Sequence, residues 1–586
     1  MICRPRRFLR LAGVLAAVTA LAGCEPAPST AASVELAKRQ LAAGNPQDAR
    51  IVLQRALVEG TPEADVAAYL GEAALQRGDL AEAARWLEPE VFSAGTEALG
   101  LRMIGRLEMA RANLEASGRA YDRALRLDPQ DPELWVDIGR LRFEGGEQAQ
   151  AIDAAERALA LAPQNASALQ FRGQLLRDAE GLVPSLNWFA AAVDQHPANR
   201  ELRLDYAATL ADAGQAREAL AVLRAGGDSV LLSSQGLFVQ AVIAARGGRF
   251  PLARALLQRS QFDQEGRPAA IMLSAIVDMQ NGNFDSAAQQ LDRLTRRQPD
   301  NVRAVELLAL ALSRSGSDKE LVRRFAARAA GPSGSPHLRV LVGRAYEAMG
   351  DRAAAARFLD LAAMAPQRLA PLPTEAPLET LVPRGGSGGQ TRDYVRAALA
   401  GRTRGQAISS ARDFVRNYPG SGDGYAILGD AELAAGDRAA ARRAYSRAAN
   451  IRQPWPLALR LAGSQATPED AAALLERFVR SNPLNGHAAA LLADAYAAQG
   501  KWSVAAQLLD HAILHGQARV PWVLSARALV AAQLGQPDEA IDFAIEAHDL
   551  QPLNPRSVAA LLAVLPPAEV TARADLYAKL ESLTSD

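Results

Sequence analysis

Residues 132–165 read PELWVDIGRLRFEGGEQAQAIDAAERALALAPQN, and this stretch decides the fold. Trp135, Ile138 and Arg142 share one face of a helix, with the small Gly139 between them. Gly145 and Gly146 end that helix, because glycine enters the left-handed backbone region of a helix C-terminus without a Cβ clash. Ala151, Ala155 and Ala158 then share a face of a second helix, which Pro163 stops. Two short amphipathic helices joined by a tight turn cannot bury their apolar faces alone, so the pattern predicts further copies.

A step of 34 residues from the turn finds them, at Gly44, Gly78, Ala112, Gly146, Glu180, Gly214, Gly248, Gly282, Gly316 and Gly350. Eight of those ten places are glycine, far above the share that 44 glycines in 586 residues would give by chance. Five residues beyond each place the side chain is small in every copy but one, as close helix approach requires; the exception is Leu321.

The step of 34, with Trp135, Ile138, Gly139, Arg142, Ala151, Ala158 and Pro163, resembles the tetratricopeptide repeat. Gly429, Tyr445 and Ala448 carry the same pattern within residues 422–455. The chain departs from it at Arg142, where the family favours tyrosine, and at Leu321, where it favours alanine. The resemblance implies an all-α superhelical solenoid of about fifteen helix-turn-helix repeats, covering nearly everything after residue 30, whose first helices line a concave groove that binds other proteins.

Composition agrees. Hydrophobic residues make up 49% of the chain but aromatics 5%, so alanine and leucine do the packing. Lys plus Arg and Asp plus Glu are both 65, which leaves no basic excess to neutralise phosphates and argues against nucleic acid as a partner.

The first 23 residues read as a leader. Arg4, Arg6, Arg7 and Arg10 precede a short apolar run from Leu11 to Ala22, and Leu21-Ala22-Gly23-Cys24 closes it. This resembles a bacterial lipoprotein signal, which implies lipidation of Cys24 and a membrane anchor. Cleavage would remove Cys3 and leave Cys24 as the sole thiol, so no disulfide is expected within one mature chain. Residues 24–30 follow as a tether, and residues 31–365 as a first array. After Gly350 the step fails: Gly436 is 86 residues on, 18 more than two steps. The excess falls in the Pro- and Gly-rich residues 366–390, read as a linker, and residues 391–586 form a second array ending in a polar capping helix.

Candidate sites were sought at positions i, i+4 and i+7 of each first helix. In early units these are polar or mixed: Arg102, Arg106 and Met109, then Val136, Arg140 and Phe143, then Gln170, Gln174 and Arg177. In the middle units they turn apolar, and Phe238, Val242, Met272, Ile276, Met279 and Leu310 form the candidate partner-binding row. The alternative is that these side chains pack against one another. No catalytic constellation is expected. His511 and His515 stand four apart beside Asp510, as on one helix face, but without a third ligand or the H-E-x-x-H pattern they predict no metal. The glycines at 385–389 lack the Gly-Lys-Ser/Thr of a phosphate loop, so neither nucleotide nor other cofactor is expected, and the chain reads as a non-enzyme. The six tryptophans are spread along the sequence, which speaks against an aromatic sugar-binding groove.

Lipoproteins with this repeat serve polysaccharide secretion and pilus assembly. The resemblance therefore implies a periplasm-facing scaffold, at the outer membrane in preference to the inner, holding envelope proteins through its groove. Exopolysaccharide synthesis or secretion is the first expectation; pilus or secretion-system assembly, or chaperone-like binding of exported polypeptides, is the alternative.

Overall fold

Each turn residue at the step of 34 is a place where the backbone must reverse, and in a computed structural model of the chain the reversal is the same almost everywhere. Gly146 has φ +80°, and the following Glu147 N–H donates to the carbonyl of Arg142, five residues back, at 2.8 Å. This closes the helix end and directs the chain into the antiparallel second helix. Left-handed φ values recur from Gly44 to Gly535. Ala112 takes the same conformation at φ +61° despite its Cβ. At Glu180 the turn slips by one residue: Glu180 has φ −116° and Gly181 takes the positive value, +107°.

The structure describes residues 30–299, 301–331, 334–363, 381, 388–400 and 403–584. The leader, Cys24 and most of the expected linker lie outside these residues. Thirty-three α-helices and no strand occur among the described residues. With the four-residue helix Asp228–Leu231 set aside, they pair as sixteen hairpins, close to the expected fifteen. None of the described helices is long and apolar enough to cross a membrane.

The chain divides into two compact units, residues 1–129 and 130–586. In the first, three hairpins run from Thr30–Ala42 to Leu114–Leu127. Its core is built from a glycine and a large side chain 16 residues on: a Cβ on Gly71 would lie 2.3 Å from Leu87, and one on Gly105 2.2 Å from the Tyr121 ring. Tyr121 is only 2% exposed, so the missing side chain at Gly105 is what lets the two helices approach.

The second unit repeats the device. Gly173 faces Phe189, Gly343 faces Leu359 and Gly429 faces Tyr445, each across the same interval of 16. Gly139 is filled from the next repeat instead, by Phe171, with the backbone and side chains of Ala151 and Ala154 close by. Side chains of Asn165, Asn199, Ser233 and Asn301 cap four of the five first helices from Ala166–Ala179 to Val302–Arg314, Pro268–Gln280 being the exception, which ends those inter-repeat loops at fixed places. Thr467, read from sequence as a cap before Pro468, accepts from the Asp470 N–H at 3.2 Å. Leu321, the apparent misfit, is fully buried beside Phe325.

Within this unit the chain comes back on itself. The loop at 420–423 meets the start of helix Gln148–Leu161, and the loop at 452–453 meets the end of helix Ala166–Ala179. Helix Pro468–Ser481 touches helix Leu182–Gln195. The helix expected to open the second array, Gly388–Ala400, begins inside the stretch read as linker.

Candidate partner-binding face

The apolar row rises from three successive first helices: Phe238 and Val242 on Ser234–Arg246, Met272, Ile276 and Met279 on Pro268–Gln280, and Leu310 on Val302–Arg314. All six side chains are half-buried. They do not share one core. Phe238 leans on Phe262, ring centres 5.7 Å apart, and belongs with the apolar cluster around Leu237, Leu256 and Leu257. Met272, Ile276, Met279 and Leu310 lie along the edge of a second cluster that reaches Phe325 and Phe358. The row is thus the open margin of two packed cores, supported from below and partly accessible from above. Methionine at two of six places suits a surface that adapts to its occupant.

The neighbouring faces are polar and already bonded. Gln170 and Gln174 both donate to one oxygen of Asp205, at 2.8 and 2.7 Å, and Arg177 reaches the Thr209 hydroxyl at 3.3 Å. These bonds tie helix Ala166–Ala179 to helix Arg200–Asp212. Arg140 lies over the Phe171 ring at 5.7 Å. Val136, expected on the open face, is instead 1% exposed in the core; the row read from sequence begins one position off the true inter-helix face in that repeat. In the first unit, Arg102, Arg106 and Met109 are half-buried.

Two buried carboxylates show why these clusters are structural. Asp278 lines a hollow of about 320 Å³ with Arg254, Ser274 and Gln258. It accepts from Ser286 and Gln290, each at 2.7 Å, and pairs with Arg254, so its oxygens are occupied. Asp430 accepts from the Tyr445 hydroxyl at 2.7 Å and lies 2.8 Å from Arg460 Nε. Burial pushes the Asp430 carboxyl above its usual range while Arg460 pulls it back. Burial also raises the Tyr445 phenol, which therefore stays protonated as a donor.

The two histidines read as neighbours on one helix face are not so placed. The regular helix breaks at His515 (φ −104°, ψ 42°) and Gly516 (φ +95°), and His511 Nε2 contacts the Pro483 carbonyl at 2.6 Å. The rings are 4.3 Å apart, and among the described residues no group of three potential ligands forms there or elsewhere.

One feature escaped the sequence reading. Trp455 and Trp522, 67 residues apart, flank His487 at 5.2 and 6.4 Å between ring centres, all three at the N-terminal ends of first helices. Two of the six tryptophans that looked scattered thus form a short aromatic row with His487, a signal available only by laying the second array out in repeats.

The tetratricopeptide-repeat family profile matches residues 34–92, 102–166, 273–336 and 457–519. A curated protein, cellulose synthase 2 operon protein C of Komagataeibacter xylinus, is 28% identical over 276 residues, which is 46% of this chain and 19% of that protein. The chain therefore spans about a fifth of that relative's length. Among solved structures, the Cut9–Hcn1 assembly of the APC/C aligns at TM-score 0.27 and 14% identity over 92% of this chain and 96% of its own. A tetratricopeptide repeat protein from Parabacteroides merdae aligns at 0.30 and 17%, over 40% of this chain and 92% of its own. PilW, a type IV pilus biogenesis factor, aligns at 0.31 and 17%, over 37% and 98%. The repeated hairpin, its glycine turns and four profile matches converge on one conclusion: the chain carries tetratricopeptide repeats, an architecture that implies a scaffold for protein–protein interaction.

Proposed function

We propose that this protein is a lipid-anchored scaffold of the bacterial envelope that holds partner proteins for exopolysaccharide synthesis or secretion. The observation that carries the binding part is the row Phe238, Val242, Met272, Ile276, Met279 and Leu310, a half-buried apolar margin on three consecutive first helices. An apolar margin of this kind receives an amphipathic segment, with anchors spaced at the repeat distance. The similarity to a cellulose synthase operon protein supports the polysaccharide assignment. The leader-like residues 1–23 and Cys24 support the anchor, with the array facing the periplasm and the lipid in the outer membrane. No cofactor, nucleotide or nucleic acid has a part in this reading.

Cross-linking of the tagged full chain in its own membranes tests it. Recovery of a polysaccharide synthase component or an outer-membrane pore supports the proposal. Recovery of many unrelated exported chains replaces the scaffold with a chaperone-like binder, and recovery of pilus components replaces the pathway. Ile276→Asp should abolish capture and leave helix content by circular dichroism unchanged; capture at the wild-type level would remove the row from the interface.

A further inference from the structure

The two arrays meet along a seam within residues 130–586 that advances one repeat at a time. At its first rung the Gln148 side chain, 4% exposed, accepts from the Gly422 N–H at 2.9 Å and donates to Asp423 at 3.3 Å, while the Ala149 N–H donates to the Gly420 carbonyl at 3.1 Å. At the second, the Gln453 N–H donates to the Ala179 carbonyl at 3.1 Å. There Arg452 lies 3.2 Å from Asp178 and 3.6 Å from Asp423. At the third, the turns at Gly181 and Gly214 lie close against the opposite loop: a Cβ would come 2.8 Å from the Asn482 side chain and 3.1 Å from the Leu484 side chain respectively. At Gly248, Gly282, Gly316 and Gly350 the same position is open, with nothing within 4 Å. Loops at 420, 452 and 484 thus face turns at 148, 179 and 214, in order and in step.

The seam differs in kind from the contacts inside each array. Among the described residues no buried apolar cluster contains members from both sides of it. It is made chiefly of hydrogen bonds and an arginine between two carboxylates, with Leu484 against the Gly214 turn as its apolar contact. Polar interfaces of this sort between folded parts separate more readily than apolar ones, because water and salt replace what is lost.

We propose that this seam is a releasable clasp, by which the inter-repeat loops of residues 420–484 hook onto the turns of residues 148–214 and let go without unfolding either array. Closed, the clasp fixes the spacing of the two sets of first helices, so a partner that touches both meets one rigid surface. Open, each array presents its own face alone.

Hydrogen exchange on the full chain tests the clasp, with the perturbation on one side and the readout on the other. Arg452→Glu should speed exchange at the amide of Ala149 by about threefold, because this donor loses its acceptor when the seam parts. Gln148→Ala should do the same at Gly422 and Gln453. Helix interiors on both sides should keep wild-type rates, and raised ionic strength should speed both edges of the wild type together. Faster exchange confined to the mutated side, or loss of protection through the helix interiors, would overturn the proposal: the first shows no coupled seam, the second a single inseparable fold.

Discussion

Helix-on-helix stacking within each hairpin and the seam between hairpins far apart in sequence are both interfaces, yet they are made of opposite materials. In the stack, a glycine and a ring 16 residues on interlock, as at Gly429 and Tyr445 of one hairpin, where the ring is fully buried. Burying such a side chain contributes about 1.5–3 kcal/mol, and every repeat adds its own. At the seam, Gln148, Asp423, Arg452 and Asp178 exchange hydrogen bonds and charge. Exposed or partly exposed ion pairs contribute about 0–1 kcal/mol. Stacking therefore builds each hairpin, while the seam sets how residues 148–214 lie against residues 420–484.

The largest break in that comparison comes from the stack. Gly429→Leu would drive side-chain atoms into the Tyr445 ring and should cost about 3 kcal/mol, read as an earlier, less cooperative thermal melt. Ala151→Leu overfills the contact between Gly139 and the second helix and should cost about 1–3 kcal/mol, with damage centred on its own repeat. Arg452→Glu, by contrast, should shift either melt by less than about 1 kcal/mol. A larger shift would make the seam part of the core. Ala112→Gly removes the Cβ from a left-handed turn and should raise stability by about 0.5–1 kcal/mol in chemical denaturation; the same change at a turn with negative φ would lower it.

The smallest effect is on pH. Burial between Trp455 and Trp522 pushes the His487 imidazole below its usual value of 6.5. Its folded-state value is depressed, so the neutral ring contributes stability above the unfolded value, and that stability is lost as the pH falls through the folded one. Tryptophan fluorescence should therefore report a lower melting temperature at pH 5 than at pH 7. His487→Phe should flatten that difference; an equal drop in the variant would assign it to other groups, His337 and His548 among them, whose protonation burial also disfavours.

The turn register was legible in the sequence because each turn depends on one residue type at one place. The slip at Glu180 was not, since Gly181 stands next door and a fixed step cannot see which of the two turns left-handed. The 16-residue partner of each core glycine was visible in principle, but it needs the knowledge that a large side chain can fill a hole one helix away. For the candidate row, helical spacing found six residues that stand on three consecutive first helices, but spacing alone could not show that Phe238 belongs to one core and Met272 to another. Val136 was misplaced because a half-turn of helix separates a lining position from a packing one. His515 was placed on a regular helix that Gly516 breaks. The seam lay beyond any local pattern: Gln148 and Gly422 are 274 residues apart, and nothing in either segment names the other.

That separation makes the molecule a counter. Because loops meet turns one for one, insertion or deletion of a whole hairpin between residues 149 and 213 would set the later loops against the wrong turns, even where the packing inside every remaining hairpin is kept.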